Sequence, residues 1–510
     1  MFPQTPQFEA ACRILRTLRE AGHEAYLAGG CVRDLLLRRE PKDFDVATSA
    51  TPDSVLRMFP RTFAVGAHFG VVLVSSACEA GSDVGRSDEN EHIVTEVATF
   101  RSDGAYSDGR RPDEVRYTSS AEEDVQRRDF TINGLLLDPL ADCFHADSCH
   151  SARLASQERA DQDNADLGRR PPTLAPEKRR KDGARNLCGL QGPELRAAVI
   201  DHVGGLSDLD QGLVRAIGRA ELRFEEDHLR MLRGVRFAAR LGFALEAKTA
   251  AAMRQLATKT ALVSRERVRD ELTKMLTEGK ARRAFELLDE TGLLAEVLPE
   301  IARMKGVEQP AQFHPEGDVW LHTLGLLDQL EAGTPLTLAW GALLHDVGKP
   351  PTFRRAERIR FDGHVEVGVA ISTEICRRFR FSNDETGQIL ALVENHMRFG
   401  DAPKMKASTL KRFFRLQDFP QHLELHRMDC LAGSGNLDHW NFVRERFADL
   451  PEESVRPQPL ITGRELIAAG YQPGPGFKEM LHAVEDAQLE GHIHTAEEAL
   501  RLICERYPTM

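Results

Sequence analysis

The 510-residue sequence has no apolar run long enough to cross a membrane, which argues against a membrane-embedded class. Its opening, MFPQTPQFEAACRIL, lacks the basic segment and apolar core of a secretory leader. The nine cysteines are odd in number, scattered and never paired as Cys-x-x-Cys. That pattern excludes a disulfide framework and predicts reduced thiols in a cytoplasm. No poly-basic tail is present, and a net charge of −12 gives no overall attraction for nucleic acid. The charge is uneven, however. From Val214 to Arg283 there are 17 Lys and Arg against 9 Asp and Glu, a basic stretch compatible with RNA. With 41% apolar and 29% charged residues, the chain has the composition of an ordinary soluble protein and the length for roughly two to four domains.

What is present begins at Leu27–Ala47, LAGGCVRDLLLRREPKDFDVA. The pattern predicts a strand, a glycine turn, a helix start, a loop and a second strand. Gly29 and Gly30 let backbone N–H groups approach a phosphate, having no Cβ to obstruct it. Arg33 follows where a cation can neutralise that phosphate, and Asp34 can hold the arginine or the turn. Asp43 and Asp45 are two apart on the predicted second strand, so both face one side. Paired carboxylates repel unless a hard cation lies between them, which predicts a Mg²⁺ site.

This constellation, GGxVRD ahead of DFD, resembles the nucleotidyltransferase superfamily, specifically the bacterial-type tRNA nucleotidyltransferase (CCA-adding) and poly(A) polymerase family. Later motifs extend the likeness. Phe8 to Glu20 has helical spacing and is expected to pack on a small sheet. His92 to Arg101 reads as a strand with Glu96 as a candidate third carboxylate, the alternative being an outward-facing strand residue. Asp103 to Val115 reads as a mobile polar loop with Asp108, Arg110 and Arg111 at its tip. It resembles the family loop that helps the active site change from CTP to ATP. In AEEDVQRRDFTINGLLL, Arg127 and Arg128 supply planar donors for a triphosphate, while Asp129 and Asn133 suit a ribose hydroxyl or a phosphate-side hydrogen bond. RRDFTIN resembles the second family motif.

Phe224 to Phe243 has an apolar helical face. Asp227 and Arg230, three apart, are expected as helix neighbours able to offer a donor and acceptor edge to a base. EDxxR matches the family motif that selects C and A without a nucleic-acid template, and Arg233 and Arg236 are grouped with it as nucleotide-binding. Arg265, Arg267 and Glu271 resemble a bracing motif of the neck. Beyond Phe313 the chemistry changes: His322, His345, Asp346, His364, His396 and Asp429 lie in stretches that read as helical, with Asp438 close to the last. Imidazole and carboxylate ligands in this mixture suit a divalent transition metal or Mg²⁺. The adjacent His345 and Asp346 cannot share one helical face, so a common metal requires a helix end nearby. The set resembles an HD-type phosphohydrolase domain.

The expected fold is α+β. It comprises a small mixed-sheet nucleotidyltransferase head (1–145), a disordered insertion (146–196) and the end of the head (197–220). A helical neck (221–305), an HD helical domain (306–445) and a helical tail (446–510) follow. The resemblance implies template-independent addition of CCA to tRNA from CTP and ATP, with Mg²⁺ at the head. Phosphohydrolase chemistry at the HD site on RNA 3′-end or cyclic phosphates would accompany it. Poly(A) or A-only addition is the nearest alternative, and an HD phosphohydrolase with an RNA-binding head is the alternative of another class. The oligomeric state is not legible in the sequence.

Overall fold

In the computed structural model, residues 5–63, 70–77, 92–103, 115–141, 192–312 and 314–508 are described. The loop bearing Asp108, Arg110 and Arg111 lies outside them, as does the expected insertion as far as residue 191. A helix over Gly192–Ala197 starts before the head was expected to resume at 197. Its GPELRA sequence accounts for this, because proline favours the first turn of a helix. Contacts divide the chain into two compact units, Met1–Arg230 with Phe243–Ala252, and Met231–Gly242 with Met253–Met510.

The first unit is built on a seven-stranded mixed sheet. Its strands are β1 (Ala25–Ala28), β2 (Val46–Thr48), β3 (Thr62–Phe63), β4 (Val71–Ala77) and β5 (His92–Thr99), then β8 (Leu135–Leu137) and β9 (Val199–Asp201). A separate ribbon pairs β6 (Arg101–Asp103) with β7 (Val115–Tyr117). The order in the sheet is β3-β4-β5-β2-β1-β8-β9, and only β2 and β5 run parallel. A helix over Pro6–Glu20 covers one face. Thr5 opens it by accepting the Phe8 N–H at 3.3 Å, and Phe8, Leu15 and Leu18 are buried beneath it.

The second strand starts later than the sequence suggests. Pairing with both neighbours begins at Val46, so Asp43 and Asp45 lie just before β2 and not within it. The alternation still holds there. Phe44 is buried edge-on against Phe8 at 5.3 Å, while Asp43 on one side of it is exposed and Asp45 on the other is partly buried.

Among its described residues the second unit is helical, apart from a two-stranded ribbon at Arg354–Arg355 and Ile359–Arg360. Trp340 is fully buried, and its indole N–H donates to Thr273 Oγ1 at 3.0 Å. Phe399, Phe413 and Phe419 form one core cluster, and Ile461, Leu466, Val484 and Ile503 form another in the tail. No helix among the described residues is long and apolar enough to cross a membrane.

Candidate active site

The glycine turn joins β1 to a helix over Gly30–Leu36. Gly29 has φ 76° and ψ −125°, a backbone conformation that side chains rarely tolerate. A Cβ there would stand 3.2 Å from Arg128 Nη1, so the missing side chain lets that guanidinium lie against the turn. The Gly29 N–H itself is used, donating to Leu135 O at 3.0 Å.

Three carboxylates gather beside this turn. The Asp45 carboxyl is pushed up to about 6 by burial, then by Glu96 and Asp43, with Arg128 opposing them. Glu96 is raised by the surrounding protein and by Asp43, although its side chain reaches solvent. The parallel register of β2 and β5 brings this about, since Val46 pairs with Val97 and the residues before each lie side by side. Such mutual repulsion, with one arginine in opposition, is the condition a divalent cation relieves. The donor set, all carboxylate oxygen, fits a hard cation such as Mg²⁺.

Arg127 and Arg128 are held from below by an acid that sequence reasoning missed. Asp124 is 1% exposed and takes Arg127 Nη2 at 2.7 Å and Arg128 Nη2 at 2.9 Å on its two oxygens. Burial works against its charge, but the two arginines outweigh it and hold the carboxyl below the usual range. The signal was present in the sequence as an acid three and four residues ahead of two arginines.

Arg33, Asp129 and Asn133 are brought together as a brace beneath the turn. Arg33 is buried, donating to Asn133 Oδ1 at 2.5 Å and to Asp34 Oδ1 at 2.9 Å. Asn133 Nδ2 donates to Asp129 Oδ1 at 3.0 Å. Its amide therefore links the second family motif to the first. The DHVGGLSDL stretch supports them. Asp201 accepts the N–H groups of Val203, Gly205 and Leu206 at 2.9–3.1 Å. A Cβ on Gly205 would meet Thr131 O at 2.3 Å, so only glycine allows this approach.

Asp227 and Arg230 are not neighbours on one helix, as their spacing suggests. Helices cover Ala220–Glu226 and Leu229–Leu241, and Asp227 sits at the break with φ −151° and ψ 105°. Its Oδ1 accepts the Leu229 N–H at 3.1 Å and so opens the second helix. Arg230 pairs with Glu226 and donates to Arg223 O at 3.0 Å and Arg127 O at 3.3 Å. The proposed base-reading arginine is thereby tied to the arginine pair. Farther along the helix, Arg236 is buried against Glu271 at 2.7 Å and Arg233 lies 3.8 Å from the same carboxylate. Arg236 is thus a brace for the neck helices, with Glu271 in the role expected of it.

In the second unit all six expected HD residues converge. His322 Nε2 lies 3.0 Å from Asp429 Oδ1 and 3.8 Å from Asp346, and His345 Nε2 lies 3.1 Å from Asp346. His396 and His364 Nε2 approach Asp346 Oδ1 at 3.8 and 4.0 Å. Only His322 and Asp429 are inside helices. His345 ends one helix, His364 begins another and His396 follows a third, so helix ends supply three of the four ring nitrogens that meet at Asp346. Gly348 makes the approach feasible, since a Cβ there would overlap His364 O at 2.0 Å and Gly368 N at 2.6 Å.

The imidazoles are oriented for a metal. Nδ1 of His345, His364 and His396 donates to a backbone carbonyl three residues earlier, at 2.9, 3.0 and 2.6 Å. His322 Nδ1 faces Glu316 Oε1 at 2.6 Å. A carbonyl only accepts, so the Nδ1 of those three rings carries the proton and Nε2 keeps a lone pair. The buried Nε2 atoms of all four histidines make no hydrogen bond of acceptable geometry among the described residues. Ligand atoms of His322, His345 and Asp346, and those of Asp346, His364 and His396, lie within 4.8 Å of one another. Buried lone pairs without partners are costly, and a bound cation satisfies them. Sequence reasoning missed the roles of Glu316, of His314 at 2.9 Å from it, and of Lys349, whose Nζ lies 2.6 Å from Asp346 Oδ2.

Three family models match successive parts of the chain. Residues 25–148 match the family described as "Poly A polymerase head domain". Residues 242–305 match "Probable RNA and SrmB- binding site of polymerase A", and 318–429 match "HD domain". A CCA-adding enzyme of Geobacillus kaustophilus is 30% identical over 499 residues, covering 97% of this chain and 96% of that protein. That of Geobacillus stearothermophilus is 30% identical over 500 residues, with the same coverage. The crystal structure of the Bacillus stearothermophilus CCA-adding enzyme in complex with CTP superposes with a TM-score of 0.65 at 26% identity, covering 99% of this chain and 98% of that one. A Thermotoga maritima CCA-adding enzyme complexed with tRNA shares the fold, with a TM-score of 0.53 at 16% identity over 98% and 95% of the chains. The chain is a nucleotidyltransferase and belongs to the family of CCA-adding enzymes.

Proposed function

We propose that this chain adds the terminal C, C and A of tRNA from CTP and ATP, without a nucleic-acid template. The observation that carries the head chemistry is the register that sets Asp45 beside Glu96, with Asp43 two residues away, next to a glycine turn against which Arg128 lies. Asp43 and Asp45, with Glu96, would hold Mg²⁺, whose charge favours the 3′-alkoxide and the departing pyrophosphate. Gly29, Gly30, Arg127 and Arg128 then receive the triphosphate, with the guanidiniums fixed by Asp124 so that little order is lost on binding. Arg33, Asp129 and Asn133 keep the turn in shape from below. Asp227 and Arg230 offer the base an acceptor and a donor edge, and the link from Arg230 to Arg127 O couples base position to phosphate position. The 30% identity to CCA-adding enzymes over 97% of the chain supports this reading over poly(A) synthesis.

The HD cluster supports a second activity, hydrolysis of phosphoesters at RNA 3′ ends such as 2′,3′-cyclic phosphates. His322, His345, Asp346, His364, His396 and Asp429 would hold a divalent cation, and the imidazole lone pairs of His345, His364 and His396 suit a transition metal better than Mg²⁺. The decisive experiment uses tRNAs ending before the first C, after CC and after CCA, with CTP and ATP separately and together. CTP alone should add two residues to the first, ATP alone one to the second, and neither should extend the third. Long A tails on any of them would establish the poly(A) alternative.

A further inference from the structure

The face of the head sheet that carries Glu96 continues past the carboxylates. Across β5, β4 and β3, Glu96 pairs with Leu73 and Leu73 with Phe63. The adjacent row runs from Val94 to Ser75, whose N–H donates to Arg61 O at 2.9 Å. Side chains two apart share a face, so Glu96, Val94, Leu73, Phe63 and Arg61 stand on one side. Thr95, Val97, Val72 and Val74 are buried on the other. On the open side Phe63 is 57% and Val94 51% exposed. At the margin, Arg61 Nη1 lies 2.9 Å from His92 Nε2, and both side chains are exposed.

The position of this strip relative to the triphosphate residues decides its use. The glycine turn sits between β1 and β8, with Arg128 against it, on the β1 side of Asp45. In phosphoryl transfer the attacking and leaving oxygens are roughly in line. With the triphosphate on the β1 side, the 3′-hydroxyl must reach Asp45 from the β5 side. On that approach the nucleotides preceding it would pass over β4 and β3, the next strands in the sheet. Phe63 lies two strand spacings from Glu96, about 10 Å, within reach of that strand. Resting on the nucleotidyltransferase reading above, we propose that Phe63, Val94 and the Arg61–His92 pair form the platform for the single-stranded 3′ end of the RNA primer. Phe63 stacks on a base over the apolar surface of Val94, and Arg61, steadied by His92, meets a backbone phosphate. An exposed aromatic beside a cation suits single-stranded nucleic acid, whose bases stack irrespective of sequence.

The test uses the full-length enzyme with Phe63→Ala, Phe63→Trp and the double change Arg61→Ala, His92→Ala. Initial rates are taken while tRNA lacking CCA is varied at saturating CTP, and while CTP is varied at saturating tRNA. Phe63→Ala should raise the KM for tRNA about 5- to 150-fold, the range expected for loss of one base–aromatic stack. The KM for CTP should not move, and Phe63→Trp should restore the tRNA value. The double change should lower the slope of log affinity against log salt by about one phosphate contact. A tRNA KM unchanged in Phe63→Ala overturns the platform, as does a parallel rise in both KM values that Trp does not rescue. A strip that serves a protein partner gives the first of these results. Wild-type enzyme that fails to extend tRNA at all overturns the underlying activity, and the platform with it.

Discussion

Replacing Asp45 by Asn should stabilise the metal-free head while destroying its activity. The Asp45 carboxyl is raised from 3.8 to about 6. A group whose folded value is raised contributes stability below its unfolded value and loses it as pH rises through the folded one. Two pKa units at ~1.4 kcal/mol each amount to about 3 kcal/mol withheld from the fold at pH 7.5. Asp45→Asn removes that cost, and at pH 5, where the wild-type group is largely protonated, the advantage should roughly halve. For a unit of this size each kcal/mol moves Tm by about 2–4 °C, so the shift is large enough to resolve. The three tryptophans, Trp320, Trp340 and Trp440, all belong to the second unit, so scanning calorimetry in EDTA, not indole fluorescence, reports on the head. Millimolar Mg²⁺ should raise the wild-type head transition more than that of the variant. A variant no more stable than wild type at pH 7.5 would refute the reasoning, as would a gain independent of pH, since either result means that burial and the neighbouring carboxylates do not raise the Asp45 carboxyl.

Asp227→Ala and Arg230→Ala should relax the choice among CTP, ATP, GTP and UTP more than they weaken tRNA binding. Selectivity left intact with only a lower Tm would make the pair a hinge between two helices. His345→Ala with Asp346→Ala should abolish metal uptake by elemental analysis and hydrolysis of 2′,3′-cyclic phosphates, with CCA addition to intact tRNA retained. If the doubly changed protein still takes up one equivalent of metal at this domain, the ligand assignment is wrong. Gly348→Ala should lower metal uptake to a similar extent without touching a ligand, because the new methyl would force the helix bearing His364 away from Asp346. A variant that retains full metal content would show that the close packing at Gly348 has no role in assembling the centre.

Whether a feature was legible depended on whether its chemistry was local. Asp43 and Asp45 share a face because strand geometry demands it, even though the ladder itself begins one residue later at Val46. Glu96 was legible only as a candidate, since nothing in its own strand distinguishes an outward side chain from a ligand. The register of β5 on β2 settles its place beside Asp45. The six HD residues were legible because histidines and aspartates in this mixture suit a metal and resemble an HD-type domain. The placement of His345, His364 and His396 at helix ends was not, because it follows from packing such as the contact of Gly348 with the start of the His364 helix.

The roles read least well from sequence belong to residues whose partners are far away in the chain. Arg33 looks like a phosphate ligand until Asn133, one hundred residues on, takes its Nη1. Asp227 and Arg230 look like a helical pair until the backbone at Asp227 turns extended and Glu226 captures the arginine. Glu316 carries no motif, yet it faces Nδ1 of His322 at 2.6 Å and its other oxygen is buried without a hydrogen bond among the described residues. In each case a charged group would be expensive to bury alone, so the fold supplies a counterpart. A motif fixes which groups are charged, but the counterparts decide which of them remain available to a substrate. By that criterion Arg128, lying against a glycine that cannot accept a side chain and anchored by Asp124 on its far side, is better placed for the triphosphate than Arg33.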